Sequence, residues 1–234
     1  MNFSNKTILV TGASGNLGQA VGSAFAEAGA KLALIDRHRD HLERVFGAEN
    51  ADRLYLTVDL LDQEQVTAAA ASARARFGRI DVLCNIAGGF RMGQPVHETS
   101  NDNWNFLFDI NARTLLHAVR AVVPQMIADG GGKIVSVAAY AAQRGSAKMG
   151  PYIASKDAVI RLTETMAAEL RDKNINVNCV LPTIIDTPEN RTAMPDADPA
   201  RWVAPKDLAS VILFLASDAA RAIHGAALPV TGLS

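Results

Sequence analysis

Tyr152 and Lys156 stand four residues apart in Gly150-Pro151-Tyr152-Ile153-Ala154-Ser155-Lys156, a pairing of phenol and ammonium that is chemically useful for moving a proton. On a helix, side chains at that separation project from one face about a turn apart, so an ammonium can lie beside a phenol. A free tyrosine, with a pKa of about 10, is a poor acid or base at neutral pH; a neighbouring cation favours the phenolate and draws that pKa toward the working range. Tyr152 is therefore the candidate acid/base of a reaction in which another group passes a hydride, and Lys156 is its candidate activator. Chance also places such pairs on exposed helices, so the case for chemistry depends on the N-terminal glycines.

Lys6-Thr7-Ile8-Leu9-Val10 is a short β-branched run that breaks into Thr11-Gly12-Ala13-Ser14-Gly15-Asn16-Leu17-Gly18 and then into a helical pattern reaching Gly29. Strand, glycine loop and helix come in the order a phosphate site requires. Glycines let backbone approach a pyrophosphate, and the helix N-terminus offers free N–H groups and a favourable dipole. The next strand, Lys31 to Ile35, ends in Asp36, eighteen residues after Gly18. A carboxylate there accepts hydrogen bonds from an adenosine ribose and repels a 2′-phosphate, so NAD is expected over NADP. Arg37 is the residue that could reverse this preference by contacting a 2′-phosphate.

Further along, a third strand from Leu54 to Val58 leads into Asp59-Leu60, and Val66, Ala69, Ala70, Ala73 and Phe77 recur at helical spacing for packing. A fourth strand, Ile80 to Cys84, opens into Asn85-Ile86-Ala87-Gly88-Gly89, a second small-residue turn at the end of a strand, where open parallel sheets bind ligands. One long helix is expected from about Asn101 to Ala128 with Asn111 inside it, a position at which an asparagine usually faces solvent. A fifth strand spans Lys133 to Val137, the Tyr152 helix runs to about Asp172, and a sixth strand spans Asn176 to Leu181. Pro182 to Ala204 reads as an irregular loop and a candidate substrate lid. A helix from Pro205 to Ser217 and a strand from Ala226 to Val230 complete the pattern. Strands alternating with helices imply one α/β domain over residues 1–234, a doubly wound parallel sheet of the Rossmann type with about seven strands.

Composition narrows the class of ligand. Twenty-three Lys and Arg against 24 Asp and Glu leave a net charge of −1, which offers no general attraction to nucleic acid or an anionic membrane, so a small-molecule substrate is expected. No apolar run reaches the roughly 18 residues of a membrane span, and the N-terminus has no signal-peptide pattern, so a cytoplasmic location is expected. Cys84 and Cys179 fall in core strands about 9 to 10 Å apart, beyond disulfide reach, and read as reduced packing residues. The five histidines show no ligand spacing, and no metal is expected.

With the glycine loop, Asp36, Asn85-x-Ala-Gly88, Asn111 and Tyr152-x-x-x-Lys156 in this order, the chain resembles the classical short-chain dehydrogenase/reductase family over essentially its full length. The resemblance implies that Gly12, Ser14, Asn16, Leu17 and Gly18 form the pyrophosphate turn, that Asp36 and Arg37 face the adenosine ribose, and that Asp59 and Leu60 meet the adenine. It implies that Asn85, Ala87, Gly88 and Pro182 contact the cofactor, and that the Ile185 backbone and Thr187 fix its carboxamide. Tyr152 would be the acid/base, Lys156 would lower its pKa and hold the nicotinamide ribose, and Asn111 would hold a water that relays protons through Lys156. The family's oligomers imply a homodimer or homotetramer paired through the helices around Asn101–Ala128 and Tyr152–Asp172.

Three positions depart from the family pattern. Asn16 stands where the glycine turn has its middle glycine, and asparagine is the residue that next best tolerates a left-handed backbone. Thr183 replaces a glycine after Pro182. Ala139 stands thirteen residues before Tyr152, where the family places a catalytic serine that grips the substrate oxygen. Losing such a donor costs roughly 10²–10³ in rate, and Ser136, Tyr140 and Ser146 are its candidate substitutes. The quinonoid dihydropteridine reductase branch is similar here, with alanine retained beside Tyr-x-x-x-Lys and a related Asp186-Thr187-Pro188-Glu189-Asn190-Arg191 segment continuing to Trp202. The resemblance to that branch implies an electron-poor imine-like or quinonoid acceptor, and the general family pattern implies a carbonyl or alcohol. A cofactor-binding scaffold without activity is the reading from another class, motivated by Ala139.

Overall fold

A computed structural model describes residues 1–234, and seven parallel strands form a single sheet through them in the order β3-β2-β1-β4-β5-β6-β7. The strands are β1 (Thr7–Thr11), β2 (Lys31–Asp36), β3 (Arg53–Thr57), β4 (Val82–Asn85), β5 (Gly132–Val137), β6 (Ile175–Pro182) and β7 (Ala227–Val230). The order reverses between β1 and β4, so the loops leaving those two adjacent strands diverge to opposite faces and open a crevice at their C-terminal ends. Strand interiors read as continuous apolar runs because both faces are covered; every residue of β1 and of β6 is buried.

One face carries α1 (Asn16–Glu27), α2 (Arg39–Phe46) and α8 (Pro205–Ala216), the other α3 (Gln63–Phe77), α5 (Thr114–Ala128) and α6 (Gly150–Leu170). Each face buries its own apolar cluster, of 24 and 29 residues, so the sheet is the partition between two cores. Val66, Ala69, Ala70 and Ala73 of α3 are buried, as their spacing predicts. Asp62 caps that helix, accepting from the Glu64 and Gln65 N–H groups, and Gly78 ends it at φ +90°.

Two expectations need correction. The helix expected over Asn101–Ala128 is broken: α4 (Asn101–Phe108) passes into a π-turn at Asp109–Arg113 before α5 begins. Asn111 lies in that turn and is buried rather than solvent-facing, at 2% exposure. A π-turn is set by what its side chains bond to across space, and no helical periodicity announces it. The Pro182–Ala204 segment is not wholly irregular either. Pro188–Ala193 form α7, Pro199–Arg201 a turn of 3₁₀ helix, and Ile185 bridges Val203.

Candidate active site

The glycine turn is built by close backbone contact. Gly12 adopts φ +64°, and a Cβ there would lie 2.9 Å from the Ala87 Cα, so the turns after β1 and β4 touch. A Cβ on Gly18 would collide with the Gly12 carbonyl oxygen, whereas one on Gly15 would sit 3.5 Å from the same atom. Thr11, which sequence reasoning passed over, ties the turns together: its hydroxyl accepts from the Ile86 and Ala87 N–H groups at 3.1 and 3.3 Å. Asn16 is the first residue of α1 and has no left-handed backbone, so tolerance of that conformation does not explain its presence.

A groove of about 480 Å³ runs over these turns. Gly12, Ser14, Asn16, Leu17 and Gly18 line it from the first turn, and Ala87 and Gly88 from the second. Asp36, Arg37, Asp59 and Leu60 line the far end, and Thr187 lies opposite. Asn85, Pro182 and Ile185 do not line it; Asn85 is 5% exposed and reaches sideways to Ser136. Ile110, in the π-turn, and Thr114, the first residue of α5, do, and sequence patterns could not have found them because the break in the helix brings them there. A larger cleft of about 720 Å³ lies at the N-terminal end of the strands. Three of its cations, Lys6, Arg79 and Lys133, are engaged by Asp81, by the Asp129 and Gly131 carbonyls and by Asn176.

At the groove's far end Asp36 accepts from the Ser14 N–H at 3.0 Å and from the Arg37 N–H at 2.8 Å. The Arg37 guanidinium pairs with Asp59 at 3.0 Å. The Leu61 N–H and that guanidinium hold the Asp59 carboxyl below the usual carboxylate range. His117 bonds the Leu60 carbonyl at 2.9 Å, fixing this edge to α5.

Tyr152 and Lys156 stand outside the groove lining, in the first turns of α6, which begins at Gly150 with Pro151 in its first turn. Phe90 packs edge-on against the Tyr152 ring at 4.8 Å. The Lys156 ammonium donates to the Val137 carbonyl at 2.9 Å, and a Cβ on Gly88 would lie 3.0 Å from both Lys156 Nζ and Asn111 Oδ1. Asn111, Lys156 and the turn after β4 therefore meet at Gly88. Both donors of the Asn111 amide are engaged, by the Gly89 carbonyl and Ser155 Oγ, and its Oδ1 accepts from the Gly89 N–H. Burial pushes the Tyr152 phenol up to about 12 and the Lys156 ammonium down to about 8. Burial disfavours the charged form of each group, and Lys156 is not among the causes of the Tyr152 shift.

The departures acquire physical content. Ala139 is buried, and no hydroxyl replaces it from Ser136, which is itself fully buried and accepts from the Asn85 amide at 3.2 Å. Tyr140, beside it, is 40% exposed. Thr183 Oγ1 donates to the Thr231 carbonyl, binding the segment after β6 to the residues after β7.

A family model described as short chain dehydrogenase matches residues 6–198. The chain is 34% identical to D-threitol dehydrogenase of Mycolicibacterium smegmatis over 97% of its own length and 92% of that protein's. Among solved structures it is similar to carveol dehydrogenase from Mycobacterium avium in complex with NAD, with a TM-score of 0.88 and 28% identity, covering 98% of this chain and 97% of that one. It is also similar to a gluconate 5-dehydrogenase from Burkholderia cenocepacia in complex with NADP and tartrate, with a TM-score of 0.90 and 31% identity, covering 99% and 95%.

Proposed function

The chain belongs to the short chain dehydrogenase family and is an NAD(P)-dependent oxidoreductase, and from that premise we propose that it reduces a small electron-poor acceptor with Tyr152 moving the proton. The residues present fit a nicotinamide dinucleotide. Gly12 and Gly18 leave the backbone bare where a Cβ would collide with neighbouring main chain, and α1 begins there with its N-terminus. A bound dinucleotide supplies the hydride. Asp36 and Asp59 place two carboxylates against the single guanidinium of Arg37, and the net negative charge favours NAD. Lys156, held on the Val137 carbonyl beside Gly88, is in position to bond a ribose hydroxyl. Asn111 shapes that corner by clamping Gly89 and would hold the water that relays protons through Lys156. Ile185 and Thr187 follow β6 as the carboxamide contacts, and residues 182–204 serve as the substrate loop.

The observation that carries the acceptor is Ala139, buried and without a neighbouring hydroxyl from Ser136. Losing the one serine donor disfavours a developing oxyanion by roughly 10²–10³ in rate, so the site suits a conjugated imine or quinonoid acceptor, such as a quinonoid dihydropterin, that develops little alkoxide character. The names of the relatives favour a second reading, a carbonyl or alcohol substrate, with Tyr140 as the donor. The two separate in kcat/KM for quinonoid dihydropterin, quinones and ketones, measured with NADH and NADPH for wild type and Ala139→Ser. The first reading expects quinonoid substrates to lead, NADH to be preferred at least tenfold, and the serine to raise ketone reduction about tenfold, below the full effect of one donor. Strong wild-type ketone activity that the serine leaves unchanged sinks it in favour of the second. We further propose a homodimer or homotetramer through α4, α5 and α6, where Trp104, Leu116 and Ile127 are exposed.

A further inference from the structure

Asn16, the departure within the glycine turn, has a partner 173 residues away: its amide nitrogen donates to the Glu189 carboxylate at 2.8 Å. Asn16 opens α1 and Glu189 is the second residue of α7. Asn16 and Thr187 both line the groove, so the bond joins its glycine wall to the segment that leaves β6. The Glu189 end is held ready. Thr187 Oγ1 caps α7 by accepting from the Asn190 N–H, the Asn190 amide donates to the Ile185 carbonyl at 2.8 Å, and Arg191 pairs with both oxygens of Asp186. Its own backbone N–H, the Thr187 hydroxyl and the Asn16 amide hold the Glu189 carboxyl below the usual range, so it remains an acceptor at neutral pH. No other side-chain hydrogen bond joins α7 to the glycine turn.

We propose that Glu189 is a positioning residue that, through Asn16, straps α7 across the pyrophosphate end of the groove and slows release of the dinucleotide, an inference that rests on the dinucleotide reading above. A glycine at position 16, the usual residue of the family pattern, could not make this bond. The strap opens when one exposed hydrogen bond breaks, so it retards release without preventing it.

The test is NADH dissociation, followed by stopped-flow displacement, in Glu189→Ala, Asn16→Gly, the double variant and Glu189→Gln. Each of the first two is expected to release NADH roughly three- to tenfold faster. The double variant should be no faster than the faster single, because both changes remove the same bond. Glu189→Gln keeps an acceptor oxygen and should stay within about twofold of wild type. Limited trypsin digestion without dinucleotide gives an independent readout: cleavage after Arg191 should quicken in Glu189→Ala and Asn16→Gly but not in Glu189→Gln. Unchanged release in both single variants, or a double variant whose effect is the product of the two, overturns the strap. A wild-type chain that binds neither NADH nor NADPH overturns the dinucleotide reading itself, and the strap with it.

Discussion

Lys156 carries its charge where water scarcely reaches, at 5% exposure and with one carbonyl as its hydrogen-bond partner. Its folded-state pKa of about 8 lies below the ordinary 10.5, so between those values the unfolded chain binds more protons than the folded one and stability rises with pH. Tyr152 acts in the opposite sense: raised from 10.0 to about 12, it keeps its proton longer when folded and costs stability as pH climbs through that interval. Relative to Lys156→Met, the wild type should therefore gain on the order of 2–3 kcal/mol between pH 7 and pH 10, read from urea midpoints. A difference independent of pH would mean that Lys156 is not desolvated. Tyr152→Phe should abolish turnover while leaving NADH affinity within a few-fold, since the ring still packs against Phe90. Retention of near-normal activity in that variant would remove Tyr152 from the acid/base role.

Between the residues and the fold stand two short elements that depart from regular geometry, the glycine turn and the π-turn. The first is legible because only glycine satisfies it at two positions. Gly18→Ala should cost about 3 kcal/mol or more and abolish dinucleotide binding, because its Cβ would meet the Gly12 carbonyl, and backbone cannot step aside as a side chain can. Gly15→Ala should cost no more than about 1 kcal/mol, since its Cβ finds ordinary contact. Thermal unfolding and NADH titration of both variants check this, and equal behaviour would refute the close-approach account. The π-turn is the less legible element. It buries Asn111 against Gly89 and Ser155 and brings Ile110 and Thr114 to the groove, all through contacts made only after folding.

Over the whole molecule, the sheet separates two apolar cores and holds both thiols at its centre. Cys84 on β4 and Cys179 on β6 are fully buried, with β5 between them. Burial pushes the Cys84 thiol far above its ordinary range and Cys179 up to about 11, so neither forms thiolate at neutral pH. Neither should react with Ellman's reagent in the native protein, and both should react once urea unfolds it. Prompt labelling of either in the folded state would show that the sheet opens locally around it.

Much of this architecture could be read from the order of residue types. Apolar β-branched runs, helical spacing in Val66–Ala73 and a glycine turn after the first strand specify a parallel α/β sheet because local propensity and burial demand the same answer at each. Gly12, Gly18, Asp36 and Asp59 were legible for the same reason: each sits at a strand end whose position the alternation of strands and helices dictates. Asn16 and Glu189 were not, since nothing in their spacing joins residues 173 apart, and only the packing of α7 over the first turn makes them partners. The fate of Ser136 and the environment of Tyr152 were likewise decided in three dimensions. A hydroxyl's availability depends on the neighbour it is bonded to, and a phenol's pKa on how much water burial removes, and both are properties of the folded surroundings.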